Sequence, residues 1–121
     1  MKRDSRLYLD DIVDAVEKIE NYVEGLTFEQ FSEDSKTVDA IVRNFEIIGE
    51  ATKRIPLETK DKYPQIPWKM MAGTRDKLIH EYFGVNMQVL WKAVKENIPP
   101  LKRSIKQLLQ KIDKEYRQLK F

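Results

Sequence analysis

The chain has 121 residues, of which 41% are hydrophobic and 35% charged, and its net charge at pH 7 is +2. It contains no cysteine, which excludes disulfide scaffolds, thiolate zinc sites, iron–sulfur clusters and cysteine nucleophiles. No apolar run reaches the ~18 residues that a membrane-spanning helix needs, and the N-terminus has no signal-peptide core. We therefore expect a single domain over residues 1–121, in the cytoplasm, with no membrane attachment.

The first third of the chain is predicted to be helical with one sharp turn. Apolar residues at steps of three and four predict a helix over Ser5–Val23, and Gly25 lies where a helix commonly ends. Thr27 precedes Gln30 by three residues, the spacing of a capping box, which predicts a short helix there. The expected core residues of the first helix are Leu9, Ile12, Val16, Ile19 and Val23.

The middle of the chain should contain a second long helix and a proline-rich connection. That helix is expected to start near Ser35 and to end at Ile55, before Pro56. One helical turn is expected over Leu57–Lys62, and Pro67 can take the first position of the next helix. The expected core residues of the second long helix are Val38, Ile41, Phe45 and Ile48, and those of the helix after Pro67 are Trp68, Met71, Leu78, Ile79 and Phe83.

Two more helices are expected after Asn86. Asn86 can cap a helix that ends near Asn97, and Pro99 and Pro100 should open a separate last helix. The last helix has a near-heptad apolar stripe of Leu101, Ile105, Leu108, Ile112, Tyr116 and Leu119. Because no segment alternates as a strand would, the sequence predicts an all-α antiparallel up-and-down bundle of about four to five long helices.

The C-terminal helix is strongly basic. Residues 100–121 contain seven Lys and Arg residues against two acids, a net charge of +5, so the rest of the chain is net acidic. Such a helix can face RNA or another polyanion. The ordinary alternative is a solvated face whose lysines serve solubility.

One constellation has the residue types for RNA cleavage. His80 is the only histidine of the chain, and with Arg75 and Tyr82 it forms the pattern R-x4-H-x-Y. An imidazole, with an ordinary pKa of ~6.5, is suited to carry the proton of a 2′-hydroxyl at neutral pH. A guanidinium binds phosphate oxygens in a fork and stabilises charge that develops on them. The hydroxyl of Tyr82 can form a hydrogen bond or be modified.

A straight helix cannot bring these three residues to one point. At 100° per residue Arg75 and Tyr82 share a face, while His80 points roughly 140° away from Arg75. Either the helix bends near Gly73 or Gly84, or the site is completed across a symmetric interface. Proton transfer at both the attacking and the leaving oxygen favours the second solution, because a two-fold dimer supplies two histidines. We therefore expect a homodimer.

The same residues also have structural interpretations. A lone histidine near a helix end is commonly structural, Arg75 can pair with a surface acid, and Tyr82 can be a core aromatic. Because R-x4-H-x-Y is short enough to occur by chance, its weight depends on the rest of the chain.

Several further segments share the order and spacing of one protein family. They are Arg6–Ile12, Asp39–Ala51, Pro64–Trp68, Gly73–Arg75, His80–Gly84, Val89–Trp91 and Asn97–Pro99. On these segments, over about residues 3–110, the chain resembles the HepT-like family of HEPN-domain proteins. Members of that family are the toxin halves of bacterial and archaeal toxin–antitoxin pairs.

The resemblance implies a dimeric helical bundle that acts as a metal-independent ribonuclease. By position, Arg75 would stabilise the phosphate and His80 would carry protons. In related systems the antitoxin is a small nucleotidyltransferase that adenylylates the motif tyrosine, which is Tyr82 here. The added charge and bulk would repel and obstruct an RNA phosphate.

The resemblance also includes polar residues of the second long helix. Arg43, Asn44 and Glu50 match the family pattern; Arg43 and Glu50 share a helix face and Asn44 lies one step round. They are candidates for contact with RNA or for support of the catalytic residues. The alternative is an ordinary exposed face with ion pairs.

Together with the motif, the resemblance implies an endoribonuclease toxin that needs no metal or cofactor and is neutralised by a nucleotidyltransferase antitoxin through adenylylation of Tyr82. Its expected partners are RNA, the antitoxin and a second copy of the chain. The alternative is a non-catalytic helical module that binds a nucleotidyltransferase, and a nucleotide, through the same cleft.

Overall fold

The computed structural model describes residues 5–73 and 86–120, with side chains described through Gln118. Within these ranges the chain is helical apart from short connections and contains no strand, which confirms the all-α prediction. The elements in chain order are α1 (Ser5–Val23), α2 (Phe28–Glu33), α3 (Ser35–Arg54), α4 (Leu57–Lys62), α5 (68–73), α6 (Met87–Lys92), a π-helical segment (Ala93–Asn97) and α7 (Ile98–Lys120).

The turn between α1 and α3 follows the local signals of the sequence. Gly25 has a φ of 76°, the left-handed conformation that glycine adopts without strain after a helix. The capping box is present, since the Gln30 amide donates to Thr27 Oγ1 at 3.1 Å and the Thr27 amide donates to Gln30 Oε1 at 3.0 Å. Asp34 then caps α3 by accepting from the Thr37 amide at 3.1 Å.

The long helices α3 and α7 both pack on α1. Three ion pairs fix the direction of α7 relative to α1: Arg6 with Asp113, Glu17 with Lys106, and Glu20 with Lys102. As residue numbers rise along α1 they fall along α7, so the two helices run antiparallel.

The core is formed by the apolar faces that the periodicity predicted. All five expected residues of α1 and all four of α3 are buried. Burial of apolar surface at roughly 25 cal/mol per Å² is the main favourable term that holds these helices together. Leu101, Ile105 and Leu108 of α7 are buried as well, while Tyr116 is 60% exposed, so the prediction that it joins the stripe is wrong.

The expected break before Pro99 is also wrong. Met87–Lys120 is helical without interruption, and the prolines follow a π-helical segment over Ala93–Asn97. In that segment the Ile98 amide donates to the Ala93 carbonyl, five residues earlier. Proline lacks an N–H and its ring crowds the carbonyl four residues back, so a wider turn ahead of Pro99 and Pro100 accommodates both without ending the helix.

Some predicted core residues lie outside the described residues: Leu78, Ile79, Phe83 and the side chain of Leu119. α5 begins at residue 68, one position after the expected start at Pro67. No helix in the described ranges has the length and apolar character needed to cross a membrane.

Candidate active site

The R-x4-H-x-Y motif belongs to the segment that joins α5 to α6. Arg75, His80 and Tyr82 lie outside the described residues, as does Gly84, so their convergence stays a prediction. What the structure gives is how the two ends of this segment are held. The last described residue before it is Gly73, and the first after it is Asn86.

The N-terminal end of the segment is held by α5 and the turn before it. Trp68 is buried, and its indole Nε1 donates to the Tyr63 carbonyl at 3.0 Å. Tyr63, Ile66 and Met71 are buried as well. The indole hydrogen bond ties the first residue of α5 to the end of α4, so α5 enters the motif from a fixed position.

The C-terminal end is held by α6. The Asn86 side chain accepts from the amides of Gln88 and Val89 at 3.0 and 3.3 Å, which confirms it as the cap. Five residues later, Trp91 packs against two aromatic rings of α2. Its ring centroid lies 5.0 Å from that of Phe31 and 6.1 Å from that of Phe28. α2 thus anchors the helix that receives the motif.

α5 and the π-helical segment meet on the same part of the core. A small, partly enclosed cavity of about 50 Å³ lies between them and α3. Its lining includes Ile48 of α3, Met71 of α5, and Ala93 and Asn97 of the π-helical segment. Both ends of the motif segment are therefore carried by elements that pack on one common surface.

The three α3 candidates do not form one surface group. The Arg43 side chain is 61% exposed, and its Nη1 lies 3.3 Å from Glu46 Oε2. Asn44 is 5% exposed, and its Nδ2 donates to the Ala40 carbonyl at 2.8 Å. Glu50 is partly buried. Arg43 is thus placed to meet solvent or a ligand, whereas Asn44 is placed within the packed bundle.

Charged residues of α7 are partly used to hold the bundle together. A hydrogen bond from Lys102 to Glu20 raises the pKa of the Lys102 ammonium, with the Coulombic attraction of the same carboxylate adding to it. A hydrogen bond to Glu115 likewise raises the pKa of Lys62. The side chains of the described ranges include no group of three or more His, Asp or Glu residues placed to hold a metal ion.

Sequence reasoning missed the π-helical segment, which lies directly after α6. Such segments occur frequently at functional sites. The signal was the proline pair at 99 and 100, which also fits a widened turn inside a continuous helix. Sequence reasoning also missed the contact of Lys95, whose Nζ lies 4.7 Å from the centre of the Trp91 ring.

A family model described as "Ribonuclease HepT-like" matches residues 12–108 of the chain. This match runs from residue 12, within α1, to residue 108, near the middle of α7, and includes the whole motif segment. The resemblance drawn from the sequence is therefore confirmed.

Curated relatives support the same assignment. A Thermococcus cleftensis protein named "Probable ribonuclease HepT" is 53% identical over 108 residues, which cover 89% of this chain and 98% of the relative. A Caldanaerobacter subterraneus protein named as a "Putative RNase" is 46% identical over 88% of this chain and 95% of its own length. A Methanocaldococcus jannaschii protein with the same kind of name is 41% identical over 94% of both chains. No solved structure matches the chain significantly.

Proposed function

Because the chain belongs to the HepT-like ribonuclease family, we propose that it is a metal-independent endoribonuclease and the toxin of a toxin–antitoxin pair. The observation that supports this most is the family match over residues 12–108, with relatives named as ribonucleases at up to 53% identity. The catalytic residues of the proposal are Arg75 and His80.

The proposed reaction is attack of a ribose 2′-oxygen on the adjacent phosphorus. The new bond joins the 2′-oxygen to phosphorus, and the bond from phosphorus to the 5′-oxygen breaks, giving a 2′,3′-cyclic phosphate and a 5′-hydroxyl. A neutral imidazole of His80 takes the proton of the 2′-hydroxyl, and a protonated imidazole gives a proton to the leaving 5′-oxygen. The guanidinium of Arg75 stabilises the charge that builds on the phosphate oxygens.

This proton balance is the reason to propose a homodimer. One imidazole must be neutral and another protonated at the start of the step, and each chain has a single histidine. A two-fold interface presents the same residues from both copies, so one cleft would contain both His80 side chains. It would also relieve the 140° divergence expected between His80 and Arg75 on one straight helix.

Tyr82 is the proposed site of control. Its hydroxyl is expected to position the substrate next to His80, two residues before it in the sequence. Transfer of AMP to that hydroxyl by a nucleotidyltransferase antitoxin would place a phosphate and an adenosine in the cleft. The added negative charge and bulk would exclude an RNA phosphate and silence the enzyme.

The test is RNA cleavage by the purified protein in excess chelator, with His80→Ala and Arg75→Lys beside it. We expect cleavage by the wild type and a loss of roughly 10²–10⁴-fold in His80→Ala, the contribution typical of general acid–base groups. Arg75→Lys keeps the positive charge and loses the bidentate fork, so we expect a roughly 10²–10³-fold loss.

Lys36→Gln, which changes an exposed residue of α3, is the matched control and should cleave as the wild type does. Circular dichroism spectra and thermal midpoints of all variants establish that the folds are comparable. Equal cleavage by wild type and His80→Ala would overturn the proposal that the chain is a ribonuclease. The better account would then be a non-catalytic module that binds a nucleotidyltransferase.

A further inference from the structure

The outward side of α7 carries cations and amides and no acid. Five exposed side chains, at steps of three and four, lie within about 80° of one another around the helix. We call them the basic stripe: Arg103, Gln107, Gln110, Lys114 and Arg117. The buried apolar residues Leu101, Ile105 and Leu108 of α7 lie on the opposite side, in the core.

The acids of α7 do not neutralise this stripe. Asp113 pairs with Arg6 of α1, and Glu115 Oε2 lies 3.2 Å from Lys62 Nζ at the end of α4. Both carboxylates are thus directed towards neighbouring helices and away from the outward face. Neither of these two carboxylates is therefore placed to neutralise the three cations of the stripe.

Five of the seven cations of α7 divide into two groups. Lys102 Nζ lies 2.9 Å from Glu20 Oε1, and Lys106 Nζ lies 3.2 Å from Glu17 Oε1, so these two serve the packing of α7 on α1. Arg103, Lys114 and Arg117 form no ion pair with any residue that the structure describes. Arg117 Nε donates to the Asp113 carbonyl at 3.5 Å, an acceptor without a formal charge. Within the described part of the chain, the positive charge of the stripe is therefore available to a ligand.

The stripe also begins at the level of α5, the helix that precedes the motif segment in the chain. Arg103 follows Leu101 by two residues, and Leu101 lines the same cavity as Met71 of α5. α5 leads into the motif two residues after Met71. Arg117 follows Arg103 by 14 residues, so the stripe extends roughly 21 Å along the helix axis.

We propose that the basic stripe binds the phosphate backbone of single-stranded RNA next to the cleavage site. This inference rests on the proposed function, because it places the substrate of that reaction. A row of three cations and two amides suits a polyanion, whose phosphates and riboses accept hydrogen bonds all along the strand. A protein partner would favour an apolar or aromatic centre, and the stripe has none.

The experiment measures binding of a fluorescent single-stranded RNA whose riboses are 2′-O-methylated, so that no 2′-hydroxyl is present to attack. The triple variant Arg103→Gln, Lys114→Gln, Arg117→Gln removes three charges and keeps polar, helix-forming side chains. We expect roughly 10- to 100-fold weaker binding at 0.1 M salt. We also expect the slope of log K against log salt to become less steep by about 2, since single strands give about 0.7 per phosphate contact.

The matched control is Lys18→Gln, Lys36→Gln, Arg54→Gln, which lowers the net charge by the same amount with exposed residues outside α7. It should keep the wild-type affinity and salt slope. Wild-type binding and slope in the stripe variant, or an equal loss in both variants, would overturn the proposal; the first result would leave an acidic protein partner as the alternative ligand of the stripe. Cleavage of unmodified RNA is measured in parallel, so failure of the proposed function appears separately, as a wild type that does not cleave.

Discussion

Glu20 of α1 and Lys102 of α7 form an ion pair, with 2.9 Å between Glu20 Oε1 and Lys102 Nζ. Each side chain is about one-third exposed, and Glu20 Oε1 itself is shielded from solvent. The pair lies beside the buried apolar seam of α1 and α7, and Lys102 follows the π-helical segment by five residues. It therefore links the first helix to the point where α6 continues into α7.

We expect Lys102→Met to lower the thermal midpoint by a few degrees, because it leaves a shielded carboxylate oxygen without its cation. Lys106→Met is the control, since the Lys106–Glu17 pair is about half exposed and such pairs contribute little. Thermal unfolding followed by circular dichroism measures both. Equal decreases of the thermal midpoint in the two variants would contradict the claim that the Lys102 pair stabilises the fold more than the Lys106 pair does.

The Glu20–Lys102 pair should also make the free energy of unfolding depend on pH in the alkaline range. The pKa of Lys102 is raised above its ordinary value of 10.5, so the folded state holds this proton more tightly than the unfolded state does. Its contribution to the free energy of unfolding is complete below pH 10.5 and disappears as the pH rises through the raised pKa. The stability difference between wild type and Lys102→Met should shrink over that range.

At acidic pH the cap of α3 should be the sensitive element. The side-chain hydrogen bond from Thr37 Oγ1 at 2.6 Å is the main cause that lowers the pKa of Asp34 below its ordinary 3.8, and the Thr37 amide adds to it. The stabilisation is present above pH 3.8 and is lost as the pH falls through the lowered value. Thr37→Val should move the pKa of Asp34 upwards, as an NMR titration of its carboxyl carbon would measure. An unchanged pKa would contradict this assignment.

The contact between α2 and α6 offers a test of how the motif is supported. Phe31 is fully buried against Trp91, so Phe31→Ala should lower the free energy of unfolding by about 3–5 kcal/mol. Phe28→Ala is the control, because Phe28 is only partly buried and meets the edge of the same ring. Urea unfolding compares the two. A loss in Phe28→Ala as large as that in Phe31→Ala would contradict the account of α2.

How much of this fold the sequence predicts depends on how local the signal is. The bounds of α1 and the capping box of Thr27 with Gln30 followed from side chains within one or two turns of one another. The proline pair gave a wrong prediction. Prolines lack an amide donor, but they end a helix only where no wider turn can accommodate them. Here the π-helical turn closed by the Ile98 amide and the Ala93 carbonyl accommodates both prolines.

The sequence predicts the charge of a helix but not which of its charged side chains form ion pairs. Composition predicted a basic α7, but only packing shows that Lys102 and Lys106 are paired with α1 while Arg103 is not. Similarly, the spacing of Arg43 and Asn44 did not show that one would be exposed and the other buried. The meeting of Arg75 with His80 depends on a second chain in our account, which no single-chain periodicity can establish.

Control by the antitoxin predicts a specific modification. Co-expression with the nucleotidyltransferase partner should add the mass of AMP to the peptide that contains Tyr82, and the modified protein should lose RNA cleavage. Tyr82→Phe should remain unmodified and should no longer be silenced by co-expression. Tandem mass spectrometry locates the adduct. An adduct found only on other residues would contradict the assignment to Tyr82.

The most direct test of the account uses a mixed dimer of wild-type and His80→Ala chains, each with its own affinity tag, purified through both tags. If both imidazoles work in one cleft, the mixed dimer should cleave RNA no better than the His80→Ala homodimer. If each subunit acts alone, it should retain about half of the wild-type rate per dimer. The account predicts the first result, and half activity, or an active wild type that sediments as a single chain, would contradict it.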